Sequence, residues 1–473
     1  MNARLPLYDV HWPAAVVVEK SSGKKGESWK VGLADGRIVP LSIDNAAALR
    51  KLALYDVVFV RVAEGKGKNG TRAELRVRPT VQGTVVVLEN KTGRILAMTG
   101  GFSYPLSQLN RATQAVRQPG SAIKPLSYLA ALGRGLQPNT LVEDDEITLP
   151  PIGGGKDYWT PKNYDGSSGN TLTLRSALEN SRNLATVHLL AGGIANKPEE
   201  SLNRLCDLAV EAQIYRECQH YYPFVLGAQP VRPVDLAAFY AAIANEGLRP
   251  VPHVVESIER NGLIVYRHDP RSSAMIGSVD QTAFYQLKSI MQGVLARGTA
   301  RSIANLAPYV AGKTGTSDDE NDAWFVGFSN EATVAVWLGY DNAAGRRRTL
   351  GGGATGGGVA VPIFEPVMEA VWAHVTPRTV LAPPSPEARQ YLSCKSVDRE
   401  SGETVRGGGI GECLRTDAKG KIVDTQYRLI SRAHASVRRN RDEDAPRRVR
   451  RAAHVVVRRV SYAPWGWWGW GWR

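Results

Sequence analysis

Arg117-Gln118-Pro119-Gly120-Ser121-Ala122-Ile123-Lys124-Pro125 is the stretch on which the fold turns. A Gly precedes a Ser that opens an apolar helical run reaching Leu132. If a helix begins at Ser121, then Ser121 and Lys124 stand one turn apart on one face, and an amine comes within reach of a hydroxyl. A Ser hydroxyl is a weak nucleophile until a base takes its proton, and a Lys can do so only if burial or a neighbouring cation lowers its pKa. The spacing alone proves little, because Ser21/Lys24 and Ser22/Lys25 repeat it inside a Gly-containing run that reads as a solvated loop. Context separates the third copy.

Working outward, residues 171–179 read as a short helix leading to Asn180-Ser181-Arg182-Asn183 and a second helical run over 184–190. Ser181 and Asn183 therefore lie at a helix–helix junction, where either one could simply cap the second helix. Later, Tyr309-Val310-Ala311-Gly312-Lys313-Thr314-Gly315-Thr316 reads as a strand, followed by two more over 323–328 and 333–340. Gly312 and Gly315 permit close backbone approach, while Lys313 and the hydroxyls of Thr314 and Thr316 could hold an anion. An edge strand with a carboxylate site is implied, and such a strand can pair its backbone with an extended peptide. A Gly-containing strand with an exposed Lys is the plainer alternative. The other Lys-Thr-Gly, at 91–93, sits in a hairpin turn between 83–88 and 94–98 and reads as a turn.

Composition bounds the rest. The 473 residues suffice for two or three domains, and 43% hydrophobic with 22% charged residues is ordinary for a globular protein. The net charge of +14 is less ordinary, but eleven arginines against three acidic residues from Arg432 to Arg473 place +8 of it on one arm. Cys206 with Cys218 and Cys394 with Cys413 form two close pairs, as two local disulfides or as free buried thiols. No basic segment followed by an apolar core opens the chain, so a targeting or anchor segment is expected upstream of it if the protein works outside the cytoplasm.

Residues 1–80 read as a small all-β module, with hairpin signals at Asp35-Gly36 and Lys68-Asn69-Gly70. An OB-like barrel fits, as a spacer or, less well for want of a row of stacking aromatics, as a binding module. Residues 137–169 are loop-rich, and their aromatics suggest one wall of a cleft. Helical patterns over 199–212, 233–245 and 281–295 suffice for a helical lobe. Past residue 374, Pro383-Pro384 and the second Cys pair read as a linker and a disulfide-stapled appendage over 375–425. The basic arm over 426–473 ends in five tryptophans, which suit a membrane interface or an anionic envelope polymer, or low-complexity disorder with no partner.

The three motifs S-x-x-K (Ser121/Lys124), S-x-N (Ser181/Asn183) and K-T-G-T (Lys313 to Thr316) occur in order, on a helix start, an interhelical loop and a strand. Together they resemble the penicillin-recognising serine acyltransferases. Asn110-Arg111-Ala112-Thr113-Gln114-Ala115, Arg117 to Ser121 and Asp322-Ala323-Trp324-Phe325-Val326-Gly327 are similar to class A, bifunctional penicillin-binding proteins over roughly residues 10–370. That family's glycosyltransferase part has no counterpart here, so no glycosyltransferase activity is expected from this chain. The resemblance implies an α+β fold: an OB-like module over 1–80, then a transpeptidase domain over 81–374 with an antiparallel sheet flanked by helices and a helical lobe.

The same resemblance implies the chemistry of a periplasmic, envelope-associated D,D-transpeptidase. Ser121 would attack the carbonyl between the terminal D-alanines of a peptidoglycan stem peptide, with Lys124 accepting its proton and Ser181 relaying one to the leaving amine. Asn183 would hold the substrate amide. Lys313 would keep Lys124 neutral and, with Thr314, Gly315 and Thr316, bind the terminal carboxylate, while the backbone N–H groups of Ser121 and Thr316 would form the oxyanion hole. Partners would be donor and acceptor stem peptides, with β-lactams as covalent inhibitors; no metal, no organic cofactor and no nucleic acid are expected. A D,D-carboxypeptidase or a β-lactam-sensing domain uses the same motifs, and a basic module binding nucleic acid or another anionic polymer is the alternative from another class. Glu199-Glu200-Ser201-Leu202-Asn203 has the form of a lactamase deacylating Glu, but reads better as acidic residues favoured at a helix start.

Overall fold

A computed structural model describes residues 12–23, 26–44, 49–65, 70–269, 272–341 and 347–423. The Lys24 and Lys25 decoys, the Lys68-Asn69 turn and the Arg- and Trp-rich arm lie outside the described residues.

Five strands, β1 (Ala14–Gly23), β2 (Gly26–Leu33), β3 (Ile38–Ser42), β4 (Val57–Ala63) and β5 (Arg72–Arg76), close a barrel in the order β1-β2-β3-β5-β4. All pairs are antiparallel except β3 with β5, and β4 returns to β1. Alternation drives closure: Val17, Trp29, Val31, Val39, Val60 and Ala73 point inward into one small core, while neighbours such as Lys30, Ile38, Pro40 and Arg61 face water. This is the OB-like barrel expected from the sequence, and closing it leaves no free sheet edge.

The larger sheet runs β8-β9-β10-β6-β7, all antiparallel, from β6 (Gln82–Glu89), β7 (Ile95–Thr99), β8 (Ala311–Thr316), β9 (Asp322–Phe328) and β10 (Ala332–Gly339). β9 is buried along its whole length, which is why its sequence is apolar at nearly every position. Its two faces serve different cores. Trp324, Val326 and Phe328 join the helical lobe, whereas Phe325 packs with Phe364 and Met368 on the opposite face. The lobe contains α1 (Lys124–Gly133), α2 (Leu174–Glu179), α3 (Asn183–His188), α4 (Pro198–Glu211), α5 (Pro233–Ala244) and α6 (Gln281–Ala296); α7 (Val361–His374) covers the other face. Glu199 and Glu200 occupy the first turn of α4, where they complement the helix dipole.

Both cysteine pairs are disulfides. Cys206–Cys218 ties α4 to the loop after it, and Cys394–Cys413 joins directly opposed positions of a hairpin, β11 (Leu392–Val397) and β12 (Ile410–Arg415). No helix among the described residues is long and apolar enough to cross a membrane.

Candidate active site

The Ser121 helix begins differently from the sequence expectation. Gly120–Ile123 forms a 3-10 turn, and the α-helix proper starts at Lys124. Ser121 and Lys124 still share a face, because a three-residue turn superposes positions i and i+3. Two glycines let this turn press against the edge strand β8: a Cβ on Gly120, at φ +50°, would meet Thr316 O at 2.2 Å, and one on Gly315 would meet Pro119 O at 2.3 Å. Buried donors pin the backbone around the serine. Tyr240 OH donates to Ala122 O at 2.7 Å, and Trp324 Nε1 donates to Gln118 O at 2.8 Å.

Lys124 is fully buried, and its amine donates to Asn183 Oδ1 and Ser181 O, each at 2.6 Å, with Ser181 Oγ at 3.5 Å. Lys313, equally buried, donates from the other side to Ser181 Oγ at 2.9 Å and to Thr314 O at 3.0 Å. The hydroxyl of Ser181 thus lies between two amines. Burial lowers the pKa of Lys124 well below its ordinary value, and the charges of Lys313 and Arg182 push it the same way against Asp144. Burial alone brings Lys313 down to about 7. Among the described residues no hydrogen bond joins the Ser121 hydroxyl to Lys124; the amine is engaged by the S-x-N segment instead.

The S-x-N segment is held by residues that no motif announces. Ser181 adopts a left-handed φ of 57°, a strained conformation for a residue with a Cβ. Neither Ser181 nor Asn183 caps α3. Asn163 Oδ1 accepts the backbone N–H groups of Asn183 (2.7 Å) and Leu184 (3.1 Å), which leaves the Asn183 amide to face Lys124 and to donate to Lys162 O at 2.8 Å. Arg182, between the two motif residues, donates to buried Asp144 at 2.6 Å and to Asp165 at 2.8 Å. Hydrogen bonds from Ser167 and Arg182 hold the Asp165 carboxyl down to about 2.

A cavity of about 270 Å³ opens beside the serine turn, with Gly120, Asn183 and Thr316 on one side and Trp159, Pro161 and Lys162 on another. The loop-rich stretch therefore does form a wall of the cleft. Thr316 lines the cavity, whereas Thr314 is buried and shares a 2.6 Å hydrogen bond with Thr299. Asp144, Asn163, Arg182 and Thr299 are the site residues the sequence did not disclose. Each works through partners on other segments and is recognisable only once those partners are known.

An antiparallel sheet whose edge strand carries a buried Lys-Thr-Gly against a serine turn, with a second buried lysine across one hydroxyl, defines a penicillin-recognising fold. Residues 83–205 and 223–369 match the model of the penicillin-binding protein transpeptidase domain, and the chain belongs to that family. It is similar to penicillin-binding protein 1A of Rickettsia bellii (34% identity over 381 residues, 76% of this chain and 46% of that protein). Penicillin-binding protein 1A of Neisseria gonorrhoeae is 35% identical over 300 residues, 63% of this chain and 36% of that protein. The chain thus spans less than half the length of these curated relatives. Among solved structures, penicillin-binding protein 1A from Haemophilus influenzae superposes with a TM-score of 0.69 at 23% identity, over 88% of this chain and 64% of that one, which supports the fold.

Proposed function

We propose that this chain is a serine D,D-transpeptidase that cross-links peptidoglycan stem peptides in the cell envelope and is acylated by β-lactams. The observation that carries the reading is the Ser181 hydroxyl held between Lys313 at 2.9 Å and, at 3.5 Å, Lys124, the lysine one turn after Ser121.

In this reading Ser121 Oγ attacks the carbonyl between the two terminal D-alanines while Lys124, neutral because it is buried, takes the hydroxyl proton. Ser181 relays that proton to the departing amine, D-alanine leaves, and an ester to Ser121 remains. An amine on a neighbouring stem attacks the ester; its proton returns through the same residues to Ser121, and a new amide results. Asn183 orients the donor amide. Lys313 and Thr316 bind the terminal carboxylate, with Thr314 fixing Lys313 from behind and Gly315 keeping the strand close to the serine. Backbone N–H groups of Ser121 and Thr316 stabilise the oxyanion, donors worth about 3 kcal/mol each by analogy with other acyl-transfer sites. A β-lactam opens on Ser121 in the same first step, and its leaving group, still tethered, obstructs the acceptor.

The test is the intact mass of the chain after exposure to benzylpenicillin, with Ser121→Ala alongside. One adduct on the wild type and none on the variant is the expected result; two folded but unmodified proteins would remove the reading.

A further inference from the structure

The hairpin β11–β12 lies beyond residue 369, where the match to the transpeptidase family stops. Its sequence suggests an appendage on a linker, yet it contributes two charged side chains to a buried network inside the helical lobe. Arg175 of α2, only 3% exposed, pairs bidentately with Glu412 of β12, itself 2% exposed, and also with Glu179 at 3.3 Å. Glu179 is completely buried and is reached in addition by Arg297, just past α6, and by Arg399 from the turn of the hairpin. Three guanidiniums thus surround two carboxylates, and the hairpin supplies one of each.

Glu179 sits two residues before Ser181. Its own carbonyl accepts the N–H of Thr299 at 3.2 Å, and the Thr299 hydroxyl meets that of Thr314 at 2.6 Å. The residue therefore joins both lysine-bearing parts of the site, the S-x-N segment directly and the K-T-G strand through Thr299. Its packing leaves no slack, since a Cβ on Gly293 would fall 1.8 Å from Glu179 Oε1. Hydrogen bonds along the hairpin register it on the lobe: Gln286 Nε2 donates to Cys413 O at 3.0 Å, Asn139 Nδ2 to Gly402 O at 2.8 Å, and Thr173 Oγ1 to Arg399 O at 3.2 Å. The Cys394–Cys413 disulfide closes the hairpin at the residue next to Glu412.

We infer that the disulfide-closed hairpin is a working part of the acylation site, with Glu412 and Arg399 acting as positioning residues that hold Glu179, and through it Ser181 and Thr314, in register with Ser121. The inference rests on the acyltransfer reading above. Removing Glu412 leaves Arg175, only 3% exposed, without its bidentate partner, and an uncompensated buried charge relaxes by moving its neighbours. Arg175 also pairs with Glu179, so such a shift would pass to the Ser181 segment two residues on.

The experiment measures, on the full chain, the number of benzylpenicillin-reactive sites per molecule and the second-order acylation rate constant per reactive site. Glu412→Gln and Arg399→Met are compared with Glu412→Asp and with Cys394→Ala/Cys413→Ala. The expected outcome is close to one reactive site per chain throughout, an acylation rate down by about tenfold for Glu412→Gln and for the cysteine-free hairpin, a smaller fall for Arg399→Met, and recovery to within about threefold for Glu412→Asp. A purely structural role would lower the number of reactive sites and leave the rate per site alone, and that result overturns the inference. Should Glu412→Gln fail to fold, Arg399→Met decides, because Arg399 is 40% exposed and its loss strands no buried charge. Wild-type rates per site in that variant would also overturn it. A wild type that never reacts would instead count against the acyltransfer reading.

Discussion

Lys313 Nζ lies 2.9 Å from Ser181 Oγ, and the same hydroxyl is 3.5 Å from Lys124 Nζ, so one side chain connects the two buried amines of the cleft. Ser181→Ala removes that connection and keeps the backbone carbonyl that Lys124 contacts at 2.6 Å. The expected effect is an acylation rate lower by about 10²-fold, in the range for a lost proton-transfer group, with thermal stability little changed. Stopped-flow acylation by a fluorescent penicillin measures it. A rate within threefold of wild type would show that the proton travels by another path.

The pH dependence follows from the same pair. In the proposed mechanism Lys124 must be neutral to accept a proton, so acylation is expected to rise with pH through the Lys124 pKa, which burial and the Lys313 charge hold well below the usual lysine value. In the same mechanism Lys313 must be charged to bind a carboxylate, so in the free protein this contribution is expected to decline as pH rises through about 7. A bell-shaped profile for the second-order acylation constant is expected, its two limbs belonging to the coupled pair. In Lys313→Met the cation that depresses Lys124 is gone, so the rising limb of the residual activity should move to higher pH. A limb that stays in place would mean Lys313 does not act on Lys124.

Lys313 also carries a stability cost. Its pKa falls from an unfolded value of 10.5 to about 7 in the fold, so between those values the unfolded chain binds more protons than the native one. Stability therefore rises with pH across that window, and the full penalty, on the order of a few kcal/mol, is present below about 7. Lys313→Met removes an ammonium from a fully buried position and should raise Tm by about 2–5 °C at pH 6.5 while the wild type catches up toward pH 10. Lost hydrogen bonds to Ser181 and Thr314 offset part of the gain, but desolvation of a charge exceeds what two neutral partners return. Calorimetry from pH 6 to 10 reads the sign. A variant less stable than wild type at pH 6.5 would refute it.

What the sequence disclosed and what it withheld divide along a physical line. The strands β8, β9 and β10 and the helices α4, α5 and α6 were legible because apolar spacing is a local property, and the three motifs were legible because each sits at a recognisable junction. The start of α1 was not, since a 3-10 turn and an α-helical turn share the same residues and only the contact of Gly120 with Thr316 decides between them. Asn163 capping α3, Asp144 beneath Arg182 and the Arg175–Glu412 pair were also illegible. Each joins single polar residues from distant segments, up to 237 positions apart, with nothing in either neighbourhood to signal the other. The hairpin looked like an appendage for the same reason.

Asn163→Ala tests the cap that frees Asn183. Two backbone N–H groups at the start of α3 lose their acceptor, and the Asn183 side chain becomes the nearest replacement. A lost cap costs about 1 kcal/mol. If the Asn183 amide turns toward its own helix, Lys124 loses a 2.6 Å acceptor, and acylation should slow more than the small stability change explains. Asn163→Asp is not a neutral control, because it would set a second carboxylate against buried Asp144, to which the Asn163 amide donates at 3.0 Å, and it should slow acylation as well. A wild-type acylation rate in Asn163→Ala would show that Asn183 stays in place without Asn163.

The approach of Gly315 to the serine turn gives the sharpest geometric test. A methyl at position 315 would lie 2.3 Å from Pro119 O and 2.9 Å from the Ala122 Cβ, both on segments pinned by Trp324 and Tyr240. Neither can yield cheaply, so the edge strand β8 must move away from Ser121, taking Thr316 and its backbone N–H with it. Among the described residues β8 pairs on one side only, with β9, and an edge strand can shift without breaking the sheet. Gly315→Ala should therefore lower the acylation rate by about 10²-fold or more, as misplacement of a catalytic donor by about 1 Å does, while the protein still folds with a Tm a few degrees lower. Gly352, with open space around its Cβ position, is the control, and Gly352→Ala should leave both quantities unchanged. Acylation of Gly315→Ala at the wild-type rate would mean that the close contact between turn and strand is not what aligns Ser121 with Thr316.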